Sequence, residues 1–303
     1  MIRPLLHFLS GSSLAKKFVL NFPLARRVAR RYVAGEQLED ALNVTRKLKE
    51  QGLLVALDLL GENAVRKSDA DKATEDYLVM IQRVGDSGLD CYFSLKLTQL
   101  GLDQGVDVAL ANLTRILEKA GTLGLFVRID MEGSKYTEQT VEVFRKARER
   151  FENVGIVIQA YMRRSKSDIA MINRLGGKVR LCKGAYAEPP SAAYQSRSEV
   201  TRNMKDLMYD LMRDGHYPAI ASHDEEVIQD TLRTVKEYGI SADKFEFQML
   251  YGIRSQRQLE LRRQGYNVRV YVPFGSDWYP YFMRRLAERP ANLVFFLTAL
   301  FRG

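Results

Sequence analysis

Eight short apolar runs rich in β-forming residues, each followed by a polar stretch, limit what this 303-residue chain can build. They lie near residues 53–60 (LLVALDLL), 91–97 (CYFSLKL), 125–131 (LFVRIDM), 155–161 (GIVIQAY), 179–186 (VRLCKGAY), 219–223 (AIASH), 245–251 (FEFQMLY) and 268–273 (VRVYVP). The stretches between them carry a helical period. Residues 107–119 place Val108, Leu110, Leu113, Ile116 and Leu117 on one face, and 138–151 do the same with Val141, Val143, Phe144, Ala147 and Phe151. Residues 199–212 repeat the pattern with Val200, Met204, Leu207, Met208 and Leu211. These spacings predict amphipathic helices. Strands that alternate with helices pair in parallel through crossovers. Eight such units closing on themselves make a (β/α)8 barrel of the TIM type, which takes roughly 250 residues; an open doubly wound sheet is the alternative.

The barrel is therefore expected over 49–303. Residues 1–48 form an N-terminal helical extension, with helices over 14–33 and 37–51 separated at Gly35 and packed across the barrel. A last apolar helix is expected over 291–301. Two cysteines, Cys91 and Cys182, exclude a disulfide framework and a four-thiolate zinc site. Three histidines disfavour a His-rich metal centre, so no metal is assigned.

Forty-six basic and 37 acidic residues give a net charge of +9. Seven basic residues (Arg3, Lys16, Lys17, Arg26, Arg27, Arg30 and Arg31) and no acidic one fall in residues 1–35. That imbalance suits a phosphate or an anionic lipid surface, or simply a solvated helix face. The opening apolar run is broken by Pro4, His7 and Lys16–Lys17, so it is expected to be retained, with the protein cytoplasmic. The run LVFFLTALF over 293–301 is too short to span a hydrocarbon core. Basic residues interleaved with aromatics along a groove are missing, so nucleic acid is not expected as a partner.

Barrel enzymes carry their reactive groups where strands end. Reading off those positions gives Glu62, Lys96, Thr98, Asp130, Glu132, Gln159, Arg180, Lys183, His223, Asp224, Gln248 and Tyr271. In 278–290 (WYPYFMRRLAERP), Tyr281, Arg284, Arg285 and Glu288 share a helix face. Two adjacent arginines and a tyrosine there suit a small carboxylate; a surface Arg284–Glu288 ion pair is the plainer reading. Neither a dinucleotide G-x-G-x-x-G nor a P-loop occurs.

The stretches LGE (60–62), SLKLT (94–98), RIDMEG (128–133), IQAYMRR (158–164), RLCKGAY (180–186), SHD (222–224), EFQMLYG (246–252) and VYVPFGSDWYPYFMRRLAERPAN (270–292) run in one order across about three quarters of the chain. In this the chain resembles the proline dehydrogenases, most closely their short monofunctional bacterial type. The resemblance implies a distorted barrel with FAD above the strand ends. Proline would lie over the flavin and give hydride from C5 to flavin N5, leaving 1-pyrroline-5-carboxylate. The electrons would pass to a membrane quinone, with the protein held peripherally at the inner face of an anionic membrane. A separate pyrroline-5-carboxylate dehydrogenase would complete the oxidation.

By the same resemblance, Lys96, Arg284 and Arg285 would bind the proline carboxylate, and Glu62 would pair with one of the arginines. Tyr271, Tyr281 and Leu250 would box the pyrrolidine ring. Tyr271 would also favour proline over 4-hydroxyproline. Arg180 would approach flavin N5, and Asp130 would hold the geometry of the site. Met131, Gln159, Lys183, Gly184, Ala185, Ser222, His223 and Glu288 would contact or support FAD. Cys182 stands where the family usually has valine, and Ser222 where threonine is common; Cys182 reads as a small apolar side chain rather than a reactive thiol.

Overall fold

The computed structural model describes residues 29–61 and 64–288; the side chains of Arg284 and of residues 286–288 lie outside that description. All eight expected strands form: β1 (Leu54–Leu59), β2 (Tyr92–Leu95), β3 (Phe126–Ile129), β4 (Val154–Gln159), β5 (Lys178–Cys182), β6 (Ala219–Ala221), β7 (Glu246–Leu250) and β8 (Val268–Phe274). They pair in parallel in chain order, and β8 closes onto β1 from Leu54↔Arg269 to Leu59↔Phe274. The closed ring excludes the open doubly wound sheet. Each strand is covered on both faces, one by the helices and the other by side chains that cross the bore.

Nine α-helices occur among the described residues. They are α1 (Leu38–Glu50), α2 (Lys67–Asp86), α3 (Val106–Thr122), α4 (Ser134–Arg148), α5 (Ser165–Arg174), α6 (Arg197–Asp214), α7 (Glu225–Glu237), α8 (Ser255–Arg263) and α9 (Trp278–Glu288). The helix expected over 37–51 is α1, which packs on β1 and β8. Most of 14–33, and all of 291–301, fall outside the described residues. Two expectations shift. Helix α4 begins at Ser134 rather than 138, because Glu188 Oε1, from a distant loop, accepts from the Ser134 backbone N–H at 2.7 Å. The strand expected to run to 186 stops at Cys182, because Gly184 turns the chain with φ +105°.

The apolar core lies between barrel and helices: Leu57, Phe93, Val127, Ile156, Leu181, Phe247 and Val270 are all buried there with the inner faces of the helices. The bore is different. Arg180 of β5 reaches Ser94 of β2, Asp130 at the end of β3 and Gln248 of β7, none of them beside β5 in the ring, so these side chains cross the interior. A barrel interior is usually filled by bulky branched apolar side chains; here much of it holds a hydrogen-bonded polar network.

Candidate active site

The strand period of two selects what enters the bore. Asp58 on β1, Ser94 on β2, Arg128 on β3 and Asp130 just past its end, Arg180 on β5, Glu246 and Gln248 on β7, and Arg269 and Tyr271 on β8 meet there. At the C-terminal mouth the network centres on Asp130. Its Oδ1 accepts from Arg180 at 2.8 Å and its Oδ2 from the Tyr271 hydroxyl at 2.8 Å. Arg180 also donates to Gln248 Oε1 at 2.5 Å and to Ser94 Oγ at 2.9 Å, so all three guanidinium nitrogens are engaged. Its guanidinium carbon lies 5.1 Å from the Tyr271 ring centroid. Lys96 Nζ stands 3.1 Å from Asp58 Oδ1 and 3.7 Å from Asp130 Oδ2. Burial disfavours the Lys96 ammonium, but the two carboxylates more than offset this and raise its pKa. Burial, with Asp130 and Asp58 nearby, pushes the Tyr271 phenol well above its ordinary range.

Above this network opens a cavity of about 960 Å³, at the upper end of the range for ligand pockets of roughly 300–1,000 Å³. It brings together Lys96, Asp130, Met131, Gln159, Arg180, Lys183, Gly184, Ala185, Ser222, His223, Leu250, Tyr271, Tyr281 and Arg285. Of the remaining expected residues, Glu62 and the side chains of Arg284 and Glu288 lie outside the described residues. Thr98 and Glu132 face elsewhere: Glu132 accepts from the Thr98 amide at 3.2 Å and hydroxyl at 2.7 Å, tying two loops together. Arg285 is buried on α9, its guanidinium 5.1 Å from the Tyr281 ring centroid.

Several of these side chains are held by protein partners. Lys183 Nζ donates to Asp224 at 2.6 Å and to Thr201 at 2.8 Å. His223 Nε2 accepts from the Leu250 backbone N–H at 2.9 Å, which presents β7's last residue to the cavity. Ser222 Oγ accepts from the Asp224 N–H, and Asp224 in turn caps α7. Gly184 cannot be replaced without disturbance, because a Cβ there would lie 2.4 Å from the Tyr161 ring.

Asp58 was missed by the strand-end reading, and Gln248 was singled out without a role. Asp58 lies inside its run (LVALDLL), not after it. A lone carboxylate at an inward position of a buried strand is the signal that could have found it, since it needs a counter-charge. Cys182 is pushed up to about 11 by burial, so its thiol is neutral at physiological pH. A thiol reagent should leave Cys182 unmodified in the native protein at pH 7 and label it only on unfolding; rapid native labelling, read by mass spectrometry, would overturn this.

A closed barrel with a charged, hydrogen-bonded mouth beneath a large cavity has the architecture of a barrel enzyme. Comparison with known sequences is consistent with this. The family described as "Proline dehydrogenase" matches residues 41–297. Proline dehydrogenase 2 of Bacillus subtilis (strain 168) is 42% identical over 288 residues, 95% of each chain. The proline dehydrogenase of Deinococcus radiodurans is 40% identical over 281 residues, 91% of each chain. Among solved structures, proline utilization A from Bdellovibrio bacteriovorus aligns with a TM-score of 0.82 at 24% identity. That alignment covers 87% of this chain and 33% of the other, and shows the shared fold. The chain belongs to the proline dehydrogenase family.

Proposed function

We propose that this chain oxidises L-proline to 1-pyrroline-5-carboxylate with FAD bound across the barrel mouth and a membrane quinone as final acceptor. The observation that carries the reading is the convergence of Lys96, Arg180, Asp130 and Tyr271 into one interlocked cluster under the cavity. The cavity's residues fit a flavin. Gln159 uses its Nε2 on the Met131 carbonyl at 3.1 Å, while its Oε1 is buried with no partner, an acceptor suited to a ring N–H. Lys183 and Arg197, which line the cavity, add positive charge for phosphates.

FAD, when bound, supplies the two-electron acceptor for the C–N oxidation. The rest falls to the protein. Arg285, with Arg284 and Lys96, receives the proline carboxylate, and Tyr271, Tyr281 and Leu250 enclose the ring and exclude water. Asp130 fixes the Tyr271 hydroxyl and the Arg180 fork at once. Lys96 and Tyr271 both hold their protons more tightly than usual, so neither is the base at neutral pH. The product passes to a separate pyrroline-5-carboxylate dehydrogenase. In keeping with this, the related "Bifunctional protein PutA" of Escherichia coli is matched over only 25% of its length.

The purified protein should be yellow and should bleach with L-proline under anaerobic conditions. A colourless protein that takes up no added FAD would overturn the reading. Arg285→Ala should raise KM for proline by about 10–150-fold with flavin content unchanged, the loss expected for one charge-assisted contact of roughly 1.5–3 kcal/mol; flavin loss at unchanged KM would refute the carboxylate role. Proline should exceed 4-hydroxyproline in kcat/KM. The basic segment containing Arg26, Arg27, Arg30 and Arg31 is proposed to meet anionic headgroups, at about 1 kcal/mol per basic residue. Charge reversal at these four positions should weaken sedimentation with anionic vesicles. Equal binding to neutral vesicles at high salt would sink the idea. Among the described residues no helix is long and apolar enough to cross a membrane.

A further inference from the structure

The floor of the bore, at the N-terminal ends of the strands, holds a second cluster that the proposed reaction does not use. Arg128 is fully buried, and only its Nη1 is bonded, to the Lys178 carbonyl at 3.0 Å and the Ile156 carbonyl at 3.5 Å. Its Nε and Nη2 are buried with no partner. Unsatisfied N–H groups on a buried charge are among the costliest groups a protein can hold.

The local charge balance sharpens the need for a partner. Four cations enter the bore, Lys96, Arg128, Arg180 and Arg269, against three carboxylates, Asp58, Asp130 and Glu246. Glu246 is committed to Arg269, whose Nε lies 3.0 Å from both its oxygens. Lys178, half-buried at the rim of the floor, also has no carboxylate within 4 Å among the described residues. Aromatic faces stand in instead: Phe126 lies 5.3 Å from the Arg128 guanidinium carbon and 5.1 Å from Lys178 Nζ. Gly155 on β4 makes room for the Arg128 guanidinium itself. A Cβ there would lie 2.7 Å from the Lys178 carbonyl and 3.1 Å from Arg128 Nη1.

We infer that the barrel floor binds a small monovalent inorganic anion of the chloride class, held by Arg128 Nε–H and Nη2–H with Lys178 adding charge from the rim. An anion there satisfies both orphaned donors and cancels the excess positive charge in the bore. It lies at the opposite end of the barrel from the cavity, and its existence does not depend on the reaction proposed above.

The test is thermal unfolding of the full-length, flavin-loaded protein in sodium chloride and in sodium gluconate at matched ionic strength. Chloride at about ten times its Kd should raise Tm by roughly 2–4 °C over gluconate, along a saturating curve. Arg128→Met should abolish the difference. Should that variant fail to fold, wild-type crystals soaked in bromide provide the second readout. An anomalous peak within hydrogen-bond distance of Arg128 Nε supports the site. No chloride-over-gluconate difference in the wild type, or only water beside Arg128 in bromide-soaked crystals, overturns it.

Discussion

Asp130→Ala is expected to lower kcat/KM for proline by about 10²–10⁴-fold. Asp130 is bonded to two of the groups proposed to face the substrate, Arg180 and Tyr271, and it stands 3.7 Å from a third, Lys96. Removing it deletes two hydrogen bonds to an ionised acceptor, each worth about 1.5–3 kcal/mol. Together they amount to roughly 3–6 kcal/mol, and 1.36 kcal/mol is tenfold in rate. Asp130 acts by positioning, so most of the loss should fall on kcat. Asp130→Asn keeps one acceptor oxygen and should recover part of the rate. Anaerobic single-turnover bleaching separates the two effects from flavin content. Both variants within threefold of wild type, with flavin retained, would show that Arg180 and Tyr271 keep their places without Asp130.

Glu246→Gln should destabilise the fold by about 3–5 kcal/mol, the cost of leaving a buried charge without its partner. Glu246 is fully buried; besides Arg269 it accepts from Gln248 Nε2 and from the Tyr217 hydroxyl at 3.3 Å. The substitution leaves Arg269 and Arg128 together in the bore with no carboxylate beside them. Burial alone would raise the Glu246 pKa, but Arg269 outweighs it and holds the group below the usual carboxylate range. A depressed folded pKa means that the stabilisation is fully present above the ordinary carboxylate pKa. It is lost as pH falls through the folded value. The gap between wild type and Glu246→Gln, measured by urea unfolding, should therefore be constant near neutrality and narrow below about pH 4. The double variant Glu246→Leu/Arg269→Met should recover most of the loss, because an apolar pair of similar volume often replaces a buried ion pair at little cost. A single variant within 1 kcal/mol of wild type would show that the pair contributes little.

The two variants probe regions of very different legibility. The eight strands could be read because the face that each turns to the helices is apolar, in short β-forming runs between helical stretches. The rule that strand ends carry chemistry found Lys96, Asp130, Gln159, Arg180 and Tyr271 for the same reason: a polar residue beside such a run is conspicuous. Asp58 escaped because it lies within its run, where the pairing with Lys96, 38 positions away, is visible only once β1 and β2 are side by side. Arg128 and Glu246 were in plain view inside matching motifs, and Arg269 inside the run 268–273. Their role depends on which strands face each other across the bore, and no local pattern encodes that. The start of α4 at Ser134 depends likewise on Glu188, 54 residues downstream.

Arg180 has every guanidinium nitrogen occupied, by Gln248, Asp130 and Ser94, on three strands of a closed ring. Such a group cannot swing to meet a charge that develops above it, and has no need to. The dipoles around it are already aligned before any electron moves. The reorganisation energy of the site should accordingly be small, with the polar bore acting as a solvent frozen in the orientation that water would have to find by fluctuation.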